Sequence, residues 1–227
     1  MSSLNFLSIG ILGGMGPEAT AEFYLRLVRI FQKKFGCVND YDYPEIYVYN
    51  LPLPEIVRSV DKENVKKALQ KGIDKLQSIG SDFIVCPCNS ANTFFKVLNF
   101  KIPYISVFDS AFRCVVSDNY LILGTNRTIE SGEYQERLGM SGIRYSLPSL
   151  DEQKIVTQVV VRILAGKKQF SDRKKLKEIV SRSACNNVLL ACTELPLLLK
   201  GKNYLDTLQS LAVATCDFSA KYIKKAT

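Results

Sequence analysis

The chain has 227 residues, 47% of them hydrophobic, which suits one large domain or two lobes of about 100 residues each. Its 30 lysine and arginine residues outnumber its 22 acidic residues and give a net charge of +8, which favours anionic small molecules. The charge is densest at 166–180, on one solvated helix face without the interleaved aromatic residues of single-strand nucleic-acid binders, so no nucleic-acid partner is expected.

Short β-branched segments alternate with longer helical patterns along the chain, as in βαβ units. In chain order the sequence predicts strand 6–12, helix 17–35, strand 45–50, helix 62–79, strands 82–86, 104–108 and 120–124, helices 151–165 and 171–183, strand 188–191 and helix 207–225. The strands are continuously apolar, which indicates sheets covered on both faces. The predicted fold class is α/β with mostly parallel central sheets.

The two halves of the chain resemble each other. SIGILGG (8–14) resembles NYLILGT (119–125), each being a strand that reaches a glycine turn, and FIVCPCNS (83–90) resembles NVLLACTE (187–194), each being a strand followed by a cysteine and a small polar residue. Two related α/β lobes, pseudo-twofold related, would explain this spacing. Chance similarity between buried strands is the alternative.

The predicted first lobe comprises residues 1–112 plus 208–227, and the second lobe comprises 113–207. The segment 103–116 is interpreted as the crossing between the lobes, and the last helix is expected to pack on the first.

A glycine-rich turn follows the first strand. Residues 14–19, GMGPEA, fit the G-x-G-x-x-A pattern of dinucleotide-binding loops. Pro17 lacks an N–H that a pyrophosphate would use, Glu18 adds a like charge, and the second strand ends at Asn50 where an acidic ribose ligand would be expected. We therefore expect the turn to bring backbone amides close to a small substrate, with Met15 as an apolar wall.

Seven cysteines occur in a chain without histidine, and they form no CxxC pair, so no zinc site is predicted. The first residues carry no secretory signal and no apolar run is long enough to span a membrane, so we expect a cytoplasmic protein with reduced thiols and no membrane partner. Packing is the interpretation for Cys37, Cys114, Cys185 and Cys216, and burial in the core for Cys86.

Cys88 and Cys192 occupy equivalent positions in the two halves, each at a strand end and before a helix-start signal. A helix start favours the thiolate. Lobes that face each other would place the two thiols on opposite walls of one cleft. Since histidine is absent, two thiols flanking a Cα–H suit one chemistry above others: one removes the proton and the other returns a proton to the opposite face, without metal or pyridoxal phosphate.

Four segments in order resemble the aspartate/glutamate racemase family, specifically its aspartate racemase branch: IGILGGMGPEATAEFY (9–24), PCNSAN (87–92), LGTNRTIESGEY (123–134) and ACTELPLLL (191–199). The resemblance implies two similar α/β lobes with the active site between them, a homodimer, and a cofactor-independent racemase of aspartate or glutamate. It implies that Cys88 and Cys192 are the acid/base pair. The substrate-binding residues that it implies are Met15, Asn89, Ser90, Ala91, Thr128, Thr193 and Glu194.

Three positions depart from the family pattern. Asn92 stands where relatives often have histidine, Ile56 where an arginine holds a substrate carboxylate, and Leu164 where a lysine is expected. Arg58 and Lys167 are close enough in sequence to substitute for the two cations. The resemblance therefore supports the reaction more strongly than the substrate. Two alternatives stay open: another reaction of the wider family, such as hydantoin racemisation, isomerisation or decarboxylation, and a binding protein that retains the pocket without turnover.

Overall fold

Two four-stranded parallel sheets organise the computed structural model, which describes residues 5–54, 56–57 and 61–221. The first sheet has the order β2-β1-β3-β4 and the second the order β6-β5-β7-β8. The strands are β1 (Ile9–Gly13), β2 (Ile46–Asn50), β3 (Phe83–Val85), β4 (Tyr104–Ile105), β5 (Asn119–Gly124), β6 (Arg144–Ser146), β7 (Asn187–Ala191) and β8 (Tyr204–Asp206). Both sheets repeat one strand order, and the predicted α/β class with two similar lobes is confirmed.

Helices cover the sheets. In the described part of the chain they are α1 (Pro17–Phe35), α2 (Lys62–Ser78), α3 (Asn89–Asn92), α4 (Val107–Phe112), α5 (Asn126–Glu130), α6 (Glu133–Met140), α7 (Leu150–Leu164), α8 (Phe170–Arg182) and α9 (Thr207–Ser219). None of these helices is both long and apolar enough to cross a lipid bilayer. The helices predicted at 17–35, 62–79, 151–165 and 171–183 are confirmed to within one residue at each end.

The strand predicted at 104–108 is wrong beyond Ile105. The Ser106 side chain accepts a hydrogen bond from the Asp109 backbone N–H and caps a helix that begins at Val107. A capped first turn satisfies a backbone donor that a strand would have offered to a neighbour. The short strands β6 and β8 and the short helices α3 to α6 were not among the predicted elements, because three to eight residues carry too little periodicity to be recognised.

Local sequence explains where the longest helix begins and ends. Pro17 occupies its first turn, and Gly36 ends it in the left-handed conformation with φ of 69°. Its apolar face places Phe23, Leu27 and Phe31 in the core with no exposed surface. That spacing is the helical periodicity from which the element was predicted.

One apolar core joins the two lobes. It combines Ile9 and Phe23 from the first half with Ile122 and Leu189 from the second, and it includes Leu208 of α9. Helix α9 packs against α1 and α4, so the predicted contact of the last helix with the first is confirmed. Separate cores lie on the outer side of each sheet. The joining core holds the carboxyl ends of both sheets in a fixed relation, which is where the site described below lies.

The lobe boundaries stay a proposal. The strands of the first sheet fall within 9–105 and those of the second within 119–206, while α9 returns to the helices of the first lobe. This arrangement supports the division into 1–112 plus 208–227 and 113–207, of which residues 1–4 and 222–227 lie outside the described residues.

A buried ion pair between α7 and α8 gives a test of the fold. The Arg162 Nε atom donates to both carboxylate oxygens of Asp172, at 2.9 and 3.1 Å, and the Asp172 side chain has no exposed surface. We expect Asp172→Ala to lower the free energy of unfolding by roughly 3 kcal/mol, because it leaves a largely buried guanidinium without its partner.

Urea unfolding followed by circular dichroism measures this loss. Asp118→Ala is the matched control, since Asp118 pairs with Arg144 where both side chains are about three-quarters exposed, at 77% and 76%. The control is expected to unfold like the wild type. Equal stability of the two variants would contradict the structural role of the Arg162–Asp172 pair.

Candidate active site

A cavity of about 240 Å³ lies where the strands of both sheets end. Its wall is contributed by the segments that follow β1, β2, β3, β5 and β7, and by helix α7. The lining residues are Gly14, Met15, Gly16, Pro17, Leu53, Pro54, Ile56, Val57, Cys88, Asn89, Ser90, Thr125, Val160, Leu164, Cys192, Thr193 and Glu194. The carboxyl ends of parallel strands are where open α/β sheets hold ligands, so this cavity is the candidate site.

The two thiols singled out by the duplication lie in this one cavity. Cys88 follows β3 and stands at the N-terminal end of α3, while Cys192 directly follows β7 in the other lobe. Both are nearly covered, with 6% and 4% of their surface exposed. The structure thus brings together two thiols that are 104 positions apart in sequence (192 − 88). Cys86, two residues before the first thiol, has no exposed surface and lies in the core of the first lobe, as predicted.

Two of the predicted binding residues do not line the cavity. The Ala91 side chain packs in the core of the first lobe. Its backbone N–H is directed at the Cys88 sulfur and lowers the pKa of that thiol. Thr128 is completely buried one layer behind the wall, where its hydroxyl lies 3.1 Å from that of Thr125 and 3.3 Å from that of Ser90. The resemblance implied that both residues line the substrate pocket, and neither is among the residues that line this cavity; their role in substrate binding stays a prediction.

Thr125 lines the cavity instead and was missed by sequence reasoning. It follows the glycine that ends β5, at the position equivalent to Gly14 in the first half, and that equivalence was the available signal. Its hydroxyl is 2.7 Å from that of Ser90 and so joins the two lobes at the cavity wall. The other candidate residues also line the cavity, and their roles in binding and catalysis stay predictions: Met15, Cys88, Asn89, Ser90, Cys192, Thr193 and Glu194.

A buried carboxylate connects the glycine turn of one lobe to the thiol of the other. Glu194 Oε1 accepts a hydrogen bond of 3.0 Å from the Gly16 backbone N–H, and Oε2 accepts one of 3.0 Å from the Cys192 thiol. The Thr193 hydroxyl donates to the same Oε2 atom at 3.2 Å. Because Gly16 N–H is already bonded to a carboxylate, it is not available to a phosphate, in agreement with the rejection of the dinucleotide interpretation.

The turn itself is held in one conformation. The Gly14 backbone N–H donates to the Thr20 hydroxyl at 3.0 Å, and that hydroxyl donates to the Gly16 carbonyl at 2.9 Å. Gly14 has φ of 94°, and a Cβ added there would lie 2.6 Å from the Leu51 carbonyl oxygen. Only glycine fits such a position without strain. The sequence GGMG therefore serves backbone geometry at this wall of the cavity.

Burial keeps both thiols protonated at rest. The pKa of Cys88 is raised to about 12. Desolvation is the largest cause and the Glu194 charge is the second, while the backbone N–H groups of Ala91 and Ser90 lower the pKa. Burial likewise raises the pKa of Cys192 well above its usual value, and the Glu194 carboxylate raises it further. The expected preference for the thiolate at a helix start is present as hydrogen bonding to Cys88, and burial outweighs it.

Two asparagines fix the segment that carries Cys88. The Asn89 side chain accepts from the Tyr134 hydroxyl at 2.6 Å and donates to the Thr207 hydroxyl at 3.1 Å, so most of its capacity is engaged with the second lobe. Asn92 donates to the carbonyls of Cys86 and Cys88 at 2.9 and 2.8 Å. Asn92 is absent from the lining, so the residue that replaces the family histidine positions the thiol's backbone.

Two of the positions that depart from the family pattern contribute apolar side chains to the cavity wall. Ile56 and Leu164 both line it, whereas Lys167 is exposed and does not. Arg58, the other candidate substitute, lies outside the described residues. No lysine or arginine occurs among the described residues of the lining.

Known proteins resemble this chain along most of its length. The model of the Asp/Glu/hydantoin racemase family matches residues 12–215. The broad specificity amino-acid racemase RacX of Bacillus subtilis (strain 168) is 34% identical over 139 residues, which cover 59% of this chain and 61% of RacX. The match thus spans less than two thirds of RacX. The glutamate racemase of Aquifex aeolicus (strain VF5) is 26% identical over 201 residues, covering 78% of this chain and 74% of that protein.

Solved structures share the fold. The Picrophilus torridus aspartate racemase superimposes with a TM-score of 0.82 at 28% identity, covering 96% of each chain. An aspartate racemase homologue from Pyrococcus horikoshii OT3 gives a TM-score of 0.75 at 22% identity, covering 94% of this chain and 99% of that one. The second likeness concerns the fold alone.

The Glu194 carboxylate gives a test of the thiol environment. We expect Glu194→Gln to lower the pKa of Cys88 and to accelerate its alkylation by iodoacetamide at pH 8 by about tenfold, because a neighbouring negative charge that disfavours the thiolate is removed. Peptide mass spectrometry of the Cys88 peptide over time measures the rate. Cys114 serves as an internal reference, because it is exposed and the interpretation of it as a packed residue was wrong.

Glu18→Gln is the matched control for this experiment, since Glu18 lies on the same turn and pairs with Lys168 at the surface but does not line the cavity. Its alkylation rate at Cys88 should equal that of the wild type. An unchanged rate in Glu194→Gln would show that the carboxylate does not act on the thiol.

Proposed function

Because the chain belongs to the Asp/Glu/hydantoin racemase family, we propose that it is a cofactor-independent amino-acid racemase in which the Cys88 and Cys192 thiols are the acid and base. One observation carries this proposal: thiols from equivalent positions of the two lobes line the same cavity. That arrangement suits proton transfer on the two faces of one carbon, because each lobe supplies one proton carrier.

The reaction moves one proton at each thiol. The thiolate of one cysteine takes the proton from Cα and becomes a thiol, and the electron pair of the broken C–H bond passes into the α-carboxylate as an enediolate. The thiol of the second cysteine then gives its proton to the opposite face of Cα and becomes the thiolate. The amino acid leaves with inverted configuration, and the opposite enantiomer uses the two cysteines in reversed roles.

The thiolate has to form within the occupied cavity, since burial holds both thiols protonated at rest. The bound substrate and a neighbouring proton acceptor would together allow this ionisation. The ammonium group of a bound amino acid brings a positive charge that stabilises a thiolate beside it. Glu194 already accepts the hydrogen bond of the Cys192 thiol at 3.0 Å and can take its proton. Because the Glu194 charge by itself raises the pKa of Cys192, this proton transfer requires the positive charge of the bound ammonium group.

Hydroxyl groups from both lobes are the proposed partners of the α-carboxylate. Ser90 comes from the first lobe, Thr125 and Thr193 from the second, and all three line the cavity. Hydroxyl donors near the carboxylate would stabilise the negative charge that grows on it when the α-proton leaves. Thr193 would have to exchange its present hydrogen bond to Glu194 for one to the substrate. The hydrogen bond of 2.7 Å between the Ser90 and Thr125 hydroxyls fixes the position of one relative to the other across the two lobes.

The names of the relatives support an amino-acid substrate without agreeing on one. The solved relative from Picrophilus torridus is an aspartate racemase, the relative from Aquifex aeolicus is a glutamate racemase, and RacX has broad specificity. Aspartate or glutamate, the substrate implied by the sequence resemblance, stays a prediction, as do the homodimer and the cytoplasmic location.

Replacing either thiol tests the proposal. We expect Cys88→Ser and Cys192→Ser each to lower racemisation by at least about 100-fold, because a serine hydroxyl is a far weaker proton carrier at this position. The measurement combines chiral chromatography with loss of the Cα–H signal in D₂O over a panel of amino acids and hydantoins.

Cys114→Ser is the control variant, since Cys114 is exposed and lies outside the cavity lining. It should racemise at the wild-type rate. Full activity in either active-site variant would refute the two-thiol mechanism, and exchange confined to hydantoins would assign the chain to another reaction of the family.

A further inference from the structure

The cavity has a polar side and an apolar side. The polar side carries the groups already assigned to the reacting centre: Cys88, Asn89, Ser90, Thr125, Cys192, Thr193 and Glu194. The apolar side is formed by Met15, Leu53, Pro54, Ile56, Val57, Val160 and Leu164. If the α-carbon of an amino acid lies between the thiols, its side chain has this apolar side to occupy.

The apolar side is fixed by packing in both lobes. Ile56 belongs to the core of the first lobe, and the adjacent Val57 packs against the core of the second. Val160 is fully buried on α7. Leu164, at the end of the same helix, lies so close to the glycine turn that a Cβ added to Gly16 would be 2.5 Å from its Cδ2 atom. Ile56 and Val160 cannot turn away from the cavity without losing core contacts, whereas Leu164 lies at its edge.

The charges of the cavity disfavour a second carboxylate. Burial raises the pKa of the Glu194 carboxyl, so this environment already disfavours a negative charge, and no described residue of the lining is a lysine or arginine. Three described basic side chains are engaged with other partners: Lys168 pairs with Glu18, Arg162 pairs with Asp172, and Arg127 donates to Thr93 and lies over Phe94. An acidic amino acid would bring a side-chain carboxylate that has no cationic partner among the described lining residues. An amino acid with an apolar side chain is neutral overall, because its ammonium and α-carboxylate charges cancel.

We infer that the substrate of this site is a small amino acid with an apolar, uncharged side chain, of the leucine and methionine class, instead of aspartate or glutamate. The inference rests on the proposed racemase function for the placement of the α-carbon. A cavity of about 240 Å³ is below the roughly 300–1,000 Å³ of pockets for drug-sized ligands, so the ligand is a single small molecule. The apolar wall stabilises a hydrocarbon side chain by removing it from water.

Substrate preference in the wild-type protein tests this inference first. Leucine, methionine, aspartate and glutamate are compared by Cα–H exchange in D₂O and by chiral chromatography. We expect kcat/KM for leucine or methionine to exceed that for aspartate by at least about 100-fold, because a carboxylate buried without a partner is strongly disfavoured. Isothermal titration calorimetry of the same amino acids measures the preference of the pocket without requiring turnover.

A charge placed on the apolar side tests the physical cause. Leu164 is 41% exposed, so Leu164→Lys can be accommodated at the edge of the cavity, and Leu25→Lys on α1 is the matched control at 45% exposure. We expect Leu164→Lys to raise the ratio of aspartate to leucine kcat/KM by about tenfold or more, since an ammonium group can pair with the second carboxylate. Leu25→Lys should keep the wild-type ratio.

The outcomes separate the substrate inference from the proposed function. Exchange with aspartate or glutamate in preference to leucine and methionine overturns the inference and leaves racemisation intact. If no amino acid exchanges its α-proton, racemisation fails, and calorimetry decides the ligand class: tighter binding of leucine or methionine supports the inference, and equal or tighter binding of aspartate overturns it. If the wild type prefers aspartate, the Arg58→Ala variant is measured as well. Loss of the aspartate preference in this variant would identify Arg58 as the cation that binds the second carboxylate.

Discussion

The Glu194 carboxylate is the contact on which the site depends. It accepts hydrogen bonds from the Gly16 amide of one lobe and from the Cys192 thiol of the other, and both bonds are buried. Hydrogen bonds to a charged acceptor are stronger than neutral ones, and a buried carboxylate without them would be severely destabilised. The glycine turn, the second thiol and the relative position of the lobes are therefore linked at one side chain.

Burial governs the chemistry of the thiols more than their position at strand ends. The first thiol has backbone N–H groups directed at its sulfur, yet desolvation and the Glu194 charge raise its pKa to about 12. The raised pKa values disfavour a permanent thiolate at this site, and in the proposed mechanism the base forms when the positive charge of a ligand enters. Exclusion of water also strengthens the electrostatic effect of that ligand charge, because the local dielectric constant is low.

Most polar side chains around Cys88 serve to hold the segment in place. Asn89 is bonded to Tyr134 and Thr207 of the second half, and Asn92 is bonded to the carbonyls on either side of Pro87. The four-residue helix that follows the thiol has too few internal hydrogen bonds to orient it alone. Side-chain amides supply the missing constraints, which leaves the hydroxyls and the thiols to face the ligand.

The sequence alone was sufficient for the features that are encoded locally. Long amphipathic segments predicted helices such as Pro17–Phe35, and continuous apolar runs predicted the buried strands. The duplicated strand ends singled out Cys88 and Cys192, which lie in one cavity. These signals are local, because periodicity and strand-end chemistry are read within about ten residues.

Tertiary structure decided what depends on contacts between distant segments. It placed Thr125 on the cavity wall in front of Thr128, and turned the Ala91 side chain into the core. It assembled the apolar side from Ile56 and Leu164, which are far apart in the chain, and it raised the thiol pKa values through burial. Burial is the sum of neighbours contributed by every packed element, so no single stretch of sequence contains it.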